Sequence, residues 1–173
     1  MPIREEDCQA NFYRSTAAFN ESSGESIDGK YLYCESFFSD DQVDRVQRVE
    51  QALTANKTVD KFFSPRLADA ENLEYGTLPW RDFIFKNDIK HLDEATVVVA
   101  VVDFFDDHVD SGTAYEIGYA HAFKKPLIIV QEKGNKLNLM ISESLTYYTQ
   151  SAEELATYDF TQLKKNIFTG DVF

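Results

Sequence analysis

The stretch Asp110-Ser111-Gly112-Thr113-Ala114-Tyr115-Glu116-Ile117-Gly118-Tyr119-Ala120 holds the densest set of chemically useful side chains in this sequence. If a helix begins just after Asp110, Glu116 falls in its first or second turn, where helix polarity favours an ionised carboxylate. An ionised, partly desolvated carboxylate is suited to attack an anomeric carbon. Asp110, just ahead of the helix, can present its carboxyl to the same crevice. Two carboxyl groups in one pocket can divide the labour, one as nucleophile and one as proton donor to a leaving group. A plainer role is open to the same residues. Thr113-x-x-Glu116 reads as a capping box, with Asp110 or Ser111 as an alternative N-cap. Gly112 and Gly118 are poor helix residues, at roughly 1 kcal/mol each in a helix interior, so Gly118 suggests a close approach to its backbone.

The surrounding pattern supplies the elements that would position these groups. From Lys30 onward, strand-like and helix-like segments alternate. Tyr31–Cys34 reads as a first strand, followed by Ser39 as N-cap and a helix over Asp40–Ala55 with Val43, Val46, Val49 and Leu53 on one stripe. Lys61–Ser64 reads as a second strand stopped by Pro65. Pro79 opens a helix carrying Trp80, Phe83, Ile84, Asn87, Asp88 and His91. Thr96–Phe105 is the strongest strand signal, an apolar run that suits a central parallel strand covered on both faces. After a helix over Gly112–Lys124 come a buried strand over Pro126–Val130, a short helix near Leu137–Ser142, a strand near Thr146–Tyr148 and a last helix from Ala152.

That order predicts an α/β fold, a doubly wound, flavodoxin-like, five-stranded and mostly parallel sheet with helices on both faces. In such sheets, ligands bind beyond the carboxyl ends of the strands. The rule nominates Cys34–Phe38, Phe105–Glu116 and Gln131–Asn138 as site walls. Residues 1–29 read as an acidic polar leader, a mobile tail or an arm anchored on a neighbouring subunit by Phe12, Tyr13 and Phe19. Residues 30–173 read as one α/β catalytic domain.

Composition excludes several classes. Hydrophobic residues make up 43% and aromatics 14% of 173 residues, which argues for a packed core rather than disorder. The formal net charge of −13, with no basic block, disfavours a bound nucleic-acid polymer but not a single nucleoside. The N-terminus lacks the apolar core of a signal peptide, and no apolar run is long enough to span a bilayer. Two cysteines, Cys8 and Cys34, make no disulfide framework. A soluble, cytoplasmic protein is expected. None of His91, His108 and His121 has a partner at metal-ligand spacing, and no Gly-rich phosphate loop follows the first strand, so neither a metal nor a cofactor is expected.

The segment Asp110–Gly118 resembles the signature of the nucleoside 2-deoxyribosyltransferases. Lys86-Asn87-Asp88, Asn138-Leu139-Met140, Phe37-Phe38-Ser39 and the chain end Gly170-Asp171-Val172-Phe173 are similar to further motifs of that family, in order and at compatible spacing. The resemblance implies Glu116 as nucleophile, Asp110 as second active-site carboxyl, Asp88 on the deoxyribose and Asn138 reaching a neighbouring subunit's ribose site. It also implies Phe37 and Phe38 as an aromatic wall over the base, with Gly112 and Phe173 lining the site. Two positions depart from the pattern: Leu32 replaces the family's usual Tyr and Cys34 its Gly, with Glu35 beside it, so no base preference carries over.

The implied reaction is a retaining, ping-pong exchange of the base of a 2′-deoxynucleoside for a free purine or pyrimidine, through a deoxyribosyl-Glu116 intermediate. The implied assembly is a homohexamer, a trimer of dimers. The rival readings are a deoxynucleoside or deoxynucleoside-monophosphate hydrolase on the same scaffold, and a non-catalytic flavodoxin-like nucleoside-binding module.

Overall fold

The computed structural model describes residues 30–34 as a backbone path, and residues 39–68, 70, 72–105, 108–134 and 136–173. The expectations for residues 1–29, Glu35, Phe37 and Phe38 lie outside the described residues.

Strand β3 (Ala95–Val101) forms the centre. Its side chains alternate between two cores. Val97, Val99 and Val101 join Val46, Val49, Leu53 and Leu155, whereas Val98, Ala100 and the following Val102 join Leu92, Ile117, Ala120 and Ile129. Burial on both faces explains why the sequence shows an unbroken apolar run there. Parallel to β3 run β1 (Lys30–Cys34) on one side and β4 (Leu127–Val130) on the other. Outside them lie β2 (Lys61–Phe63) and β6 (Tyr147–Thr149), also parallel. The spatial order β2-β1-β3-β4-β6 reverses direction between β1 and β3, the switch point beside which doubly wound sheets bind their ligands.

Helix α1 (Asp40–Ala55) covers one face of the sheet. Ser39 caps it by accepting the Gln42 N–H, Asp40 and Asp41 sit favourably in its first turn, and Val46, Val49 and Leu53 bury its stripe. Helices α2 (Leu78–Glu94) and α3 (Ser111–Ala122) cover the opposite face. Leu92 is the one fully buried residue of α2, and Ile89 packs beside it on the core. A second, two-stranded parallel ribbon pairs β5 (Lys136–Leu137) with β7 (Asp171–Val172), and the one-turn α4 (Leu139–Ser142) follows β5. No helix among the described residues is long and apolar enough to cross a membrane.

Two expectations need correction. The helix expected from Ala152 is only a 3-10 turn, Glu153–Ala156. Leu155, Tyr158 and Phe160 all enter the core, at a spacing that a continuing α-helix does not place on one face. The strand expected to reach Phe105 stops at Val101, because the chain turns after the buried Asp103 and Phe105 pairs back with His108.

Candidate active site

Asp110 is the N-cap of α3. Its Oδ2 accepts the N–H groups of Gly112 at 2.8 Å and Thr113 at 3.2 Å. A Cβ on Gly112 would lie 2.9 Å from that same Oδ2, so the glycine leaves the room that the cap occupies. With Asp110 as the cap, Thr113 is the third helical residue, and the Thr113–Glu116 capping box is not the start of this helix. Glu116 is the sixth residue of α3, half-buried, and shares the inward side with the buried Thr113, Ile117 and Ala120. Gly118 faces open space. A Cβ there would meet nothing within 4 Å among the described residues, so none of them makes the close approach expected at this glycine.

Asp88 lies on α2, which packs against β1, β3 and α3. Its Oδ1 is buried and has no hydrogen-bond partner among the described residues. Burial pushes the carboxyl up to about 6, against the opposing pull of the Asn87 amide and of His91. One turn along, His91 shares a hydrogen bond with the Asn87 carbonyl at 2.8 Å and stacks on Phe63, with ring centroids 3.6 Å apart. This ties α2 to the carboxyl end of β2. The histidine thus has a packing role that its sequence position did not reveal.

The chain end closes the opposite side. Phe173 donates its N–H to the Leu137 carbonyl and accepts the Leu139 N–H, both at 3.2 Å. Its half-exposed ring meets His108 edge-on at 5.8 Å. Asn138 lies between those two contacts and caps α4, its Oδ1 accepting the Met140 N–H at 2.9 Å. The fold therefore brings Phe173 to both the Asn138 segment and the loop that leads to Asp110.

Sequence reasoning missed a charged cluster on the α1 side of the same sheet edge. The Asp103 carboxylate accepts the N–H groups of Glu132 at 2.6 Å and Lys133 at 2.9 Å. Arg45, only 2% exposed, lies 3.3 Å from Glu132 and 3.7 Å from Asp103, and it bonds Asp41 at 2.9 Å. Arg48 reaches Asp44, Glu132 and Glu153. The Arg48 guanidinium holds the Glu132 carboxyl below its usual range. The available signal was Asp103 itself, an acid at the end of the most apolar run in the chain. Two shallow concavities, on the flank of α2 beside Phe85 and Ile89 and at the carboxyl end of α3 beside His121 and Lys124, are lined by none of Asp88, Asp110 and Glu116.

Comparison with known proteins bears on the family and the fold. A sequence profile described as nucleoside 2-deoxyribosyltransferase matches residues 31–163. A nucleoside deoxyribosyltransferase of Limosilactobacillus fermentum is 27% identical over 148 residues, 78% of this chain and 83% of its own. The solved 2-deoxyribosyltransferase of Bacillus psychrosaccharolyticus is 32% identical, superimposes with a TM-score of 0.72, and is matched over 80% of this chain and 98% of its own. A CMP N-glycosidase from Clostridium botulinum, 17% identical with a TM-score of 0.50 over 73% of this chain and 95% of its own, shares the fold alone. The α/β fold, the order of its motifs and these similarities place the chain in the nucleoside 2-deoxyribosyltransferase family.

Proposed function

We propose that the protein exchanges the base of a 2′-deoxynucleoside for a free purine or pyrimidine, with Glu116 as nucleophile. The Glu116 carboxylate attacks C1′, the C1′–N bond breaks, and the base leaves with the bonding pair and a proton from Asp110. An acceptor base then attacks C1′ from the vacated face, Glu116 departs, and the acceptor's proton returns to Asp110. Because Asp110 Oδ2 is occupied by the two helix N–H groups, Oδ1 is the atom that moves the proton. Asp88 and Asn138 hold the sugar hydroxyls, and Phe37, Phe38 and Phe173 pack around the base. The missing 2′-hydroxyl eases the oxocarbenium-like transition state, since an electron-withdrawing group is absent. Asn138 serves a neighbouring subunit's site in a homohexamer, a trimer of dimers; a monomer by light scattering would remove that part of the proposal.

The observation that carries the reading is Asp88 Oδ1. A buried carboxylate oxygen without a donor costs about 1–3 kcal/mol or more, and here it lies on the helix packed against the one that bears Glu116. A sugar hydroxyl is a donor that would satisfy it. Unphosphorylated nucleosides suit this site better than nucleotides. The carboxylates Asp88, Asp110 and Glu116 border it, while Arg45 and Arg48 at the neighbouring edge are committed to Asp41, Asp44, Asp103, Glu132 and Glu153.

The test is incubation with deoxyinosine, with and without free adenine. Deoxyadenosine should form only with adenine, and Glu116→Ala should abolish it, a loss of several kcal/mol of barrier lowering, on the order of a thousandfold or more in rate. Free deoxyribose in equal amount in both tubes would instead establish hydrolysis. Near-native exchange by Glu116→Ala would remove the nucleophile assignment.

A further inference from the structure

We propose that Asp103 is a positioning residue that sets the spacing between the two walls of the active site, the loop that leads to Asp110 and the segment that carries Asn138. The proposal rests on the transferase reading and goes beyond it to a residue that touches no substrate.

Asp103 lies two residues past the end of β3 and is 8% exposed. Each of its oxygens takes one consecutive amide, Oδ2 from Glu132 and Oδ1 from Lys133, in the loop after β4. A charged acceptor on two backbone donors makes short, directional bonds that fix one loop against another. The clamp is itself held from α1. Arg45 approaches the Asp103 carboxylate and the Glu132 carboxylate together, and Gln42 Nε2 donates to the Phe104 carbonyl at 3.0 Å.

The two walls diverge from this clamp. Downstream of Asp103, the chain pairs Phe105 with His108 and reaches the Asp110 cap of the Glu116 helix. Downstream of Lys133, buried Gln131 holds the chain a second time. Its Nε2 donates to the Lys136 carbonyl at 2.9 Å, while its Oε1 accepts the Tyr148 hydroxyl at 3.1 Å. Lys136 opens β5, and Asn138 follows it. A carboxylate that grips the start of one wall from the root of the other therefore governs how closely they stand. That gap decides whether a base or only water fits over the glycosyl-enzyme.

The readout is the ratio of base exchange to hydrolysis, which does not depend on the fraction of folded enzyme. Purified full-length Asp103→Asn and Arg45→Lys are incubated with deoxyinosine and saturating adenine beside the parent protein, and deoxyadenosine and free deoxyribose are quantified. Asn keeps one acceptor but turns an N–H toward an N–H, so its exchange-to-hydrolysis ratio should fall about tenfold or more, as positional errors of about 1 Å can cost a hundredfold. Arg45→Lys keeps the charge without the fork and should show a smaller fall in the same direction. Unchanged ratios with only a lowered Tm, or failure of both variants to fold, would overturn the proposal by making the cluster scaffold alone. If the parent protein itself exchanges no base, the transferase reading fails first, an outcome distinct from these.

Discussion

Two acids beside the sheet, Asp103 and Asp88, are handled in opposite ways. On the α1 flank, Asp41, Asp103 and Glu132 meet guanidinium groups or backbone N–H donors, and Arg45 is enclosed among them. On the α2–α3 flank, Asp88 keeps a buried oxygen with no hydrogen-bond partner among the described residues, while Asp110 accepts two backbone N–H groups. The same residue type is scaffold in one place and a candidate reagent in the other. The difference is the supply of donors: an acid whose valences are filled by the protein holds loops together, whereas one left short has something to offer a ligand.

The contrast predicts opposite signs for removing charge on the two flanks. Arg45→Met should produce the largest change, a destabilisation of about 3–5 kcal/mol in denaturant titrations, because Asp103 and Glu132 lose a buried counter-charge. A change under about 1 kcal/mol would erase the distinction between the flanks.

Asp88→Asn should do the reverse for stability and damage activity. The folded carboxyl titrates at about 6, above its ordinary 3.8, so the native state binds the extra proton between those values. Its ionisation therefore lowers stability as pH rises through that window, and the penalty is complete above about 6. Asn removes the penalty, worth on the order of 1 kcal/mol at pH 7.5 once discounted for partial exposure, and nothing at pH 3.5. The variant's KM for deoxyinosine should rise about tenfold, as a charge-assisted bond to the sugar is lost. Equal stability gains at both pH values would mean that the effect is not electrostatic.

Gly112→Ala sharpens the comparison within the active flank, since its methyl would crowd Asp110 Oδ2. A loss of about 1 kcal/mol, the scale of an N-cap, should accompany slower exchange. The smallest effect is expected for Gly118→Ala, where open space allows a gain of up to about 1 kcal/mol in helix stability with exchange unchanged. A thermal melt and a single-time-point exchange assay on both variants suffice, and a destabilised Gly118→Ala would show that this face is covered.

Much of the fold was legible because periodicity is a local property. The α1 boundaries, the apolar β3 and the alternation of strands and helices follow from spacing, caps and prolines in the chain. The segment after Ala152 was not legible in this way, because the burial of Leu155, Tyr158 and Phe160 depends on the sheet they pack against. At the site, motif order singled out Asp88, Asp110, Glu116, Asn138 and Phe173. It was silent on Arg45, Gln131 and His91, whose partners come from distant segments: Glu132 for Arg45, Tyr148 for Gln131 and Phe63 for His91.

By itself, then, the sequence determined most of the elements and nominated the carboxyl groups for chemistry, since helix and strand preferences and residue types act over a few neighbours. Tertiary structure alone decided which of those carboxyl groups the protein satisfies. Hydrogen-bond donors for Asp103 arrive from a loop some thirty residues away, and none among the described residues arrives for Asp88 Oδ1. Burial and donor supply are properties of the packed chain, and they separate Asp103, whose oxygens the protein satisfies, from Asp88, whose Oδ1 finds no donor among the described residues.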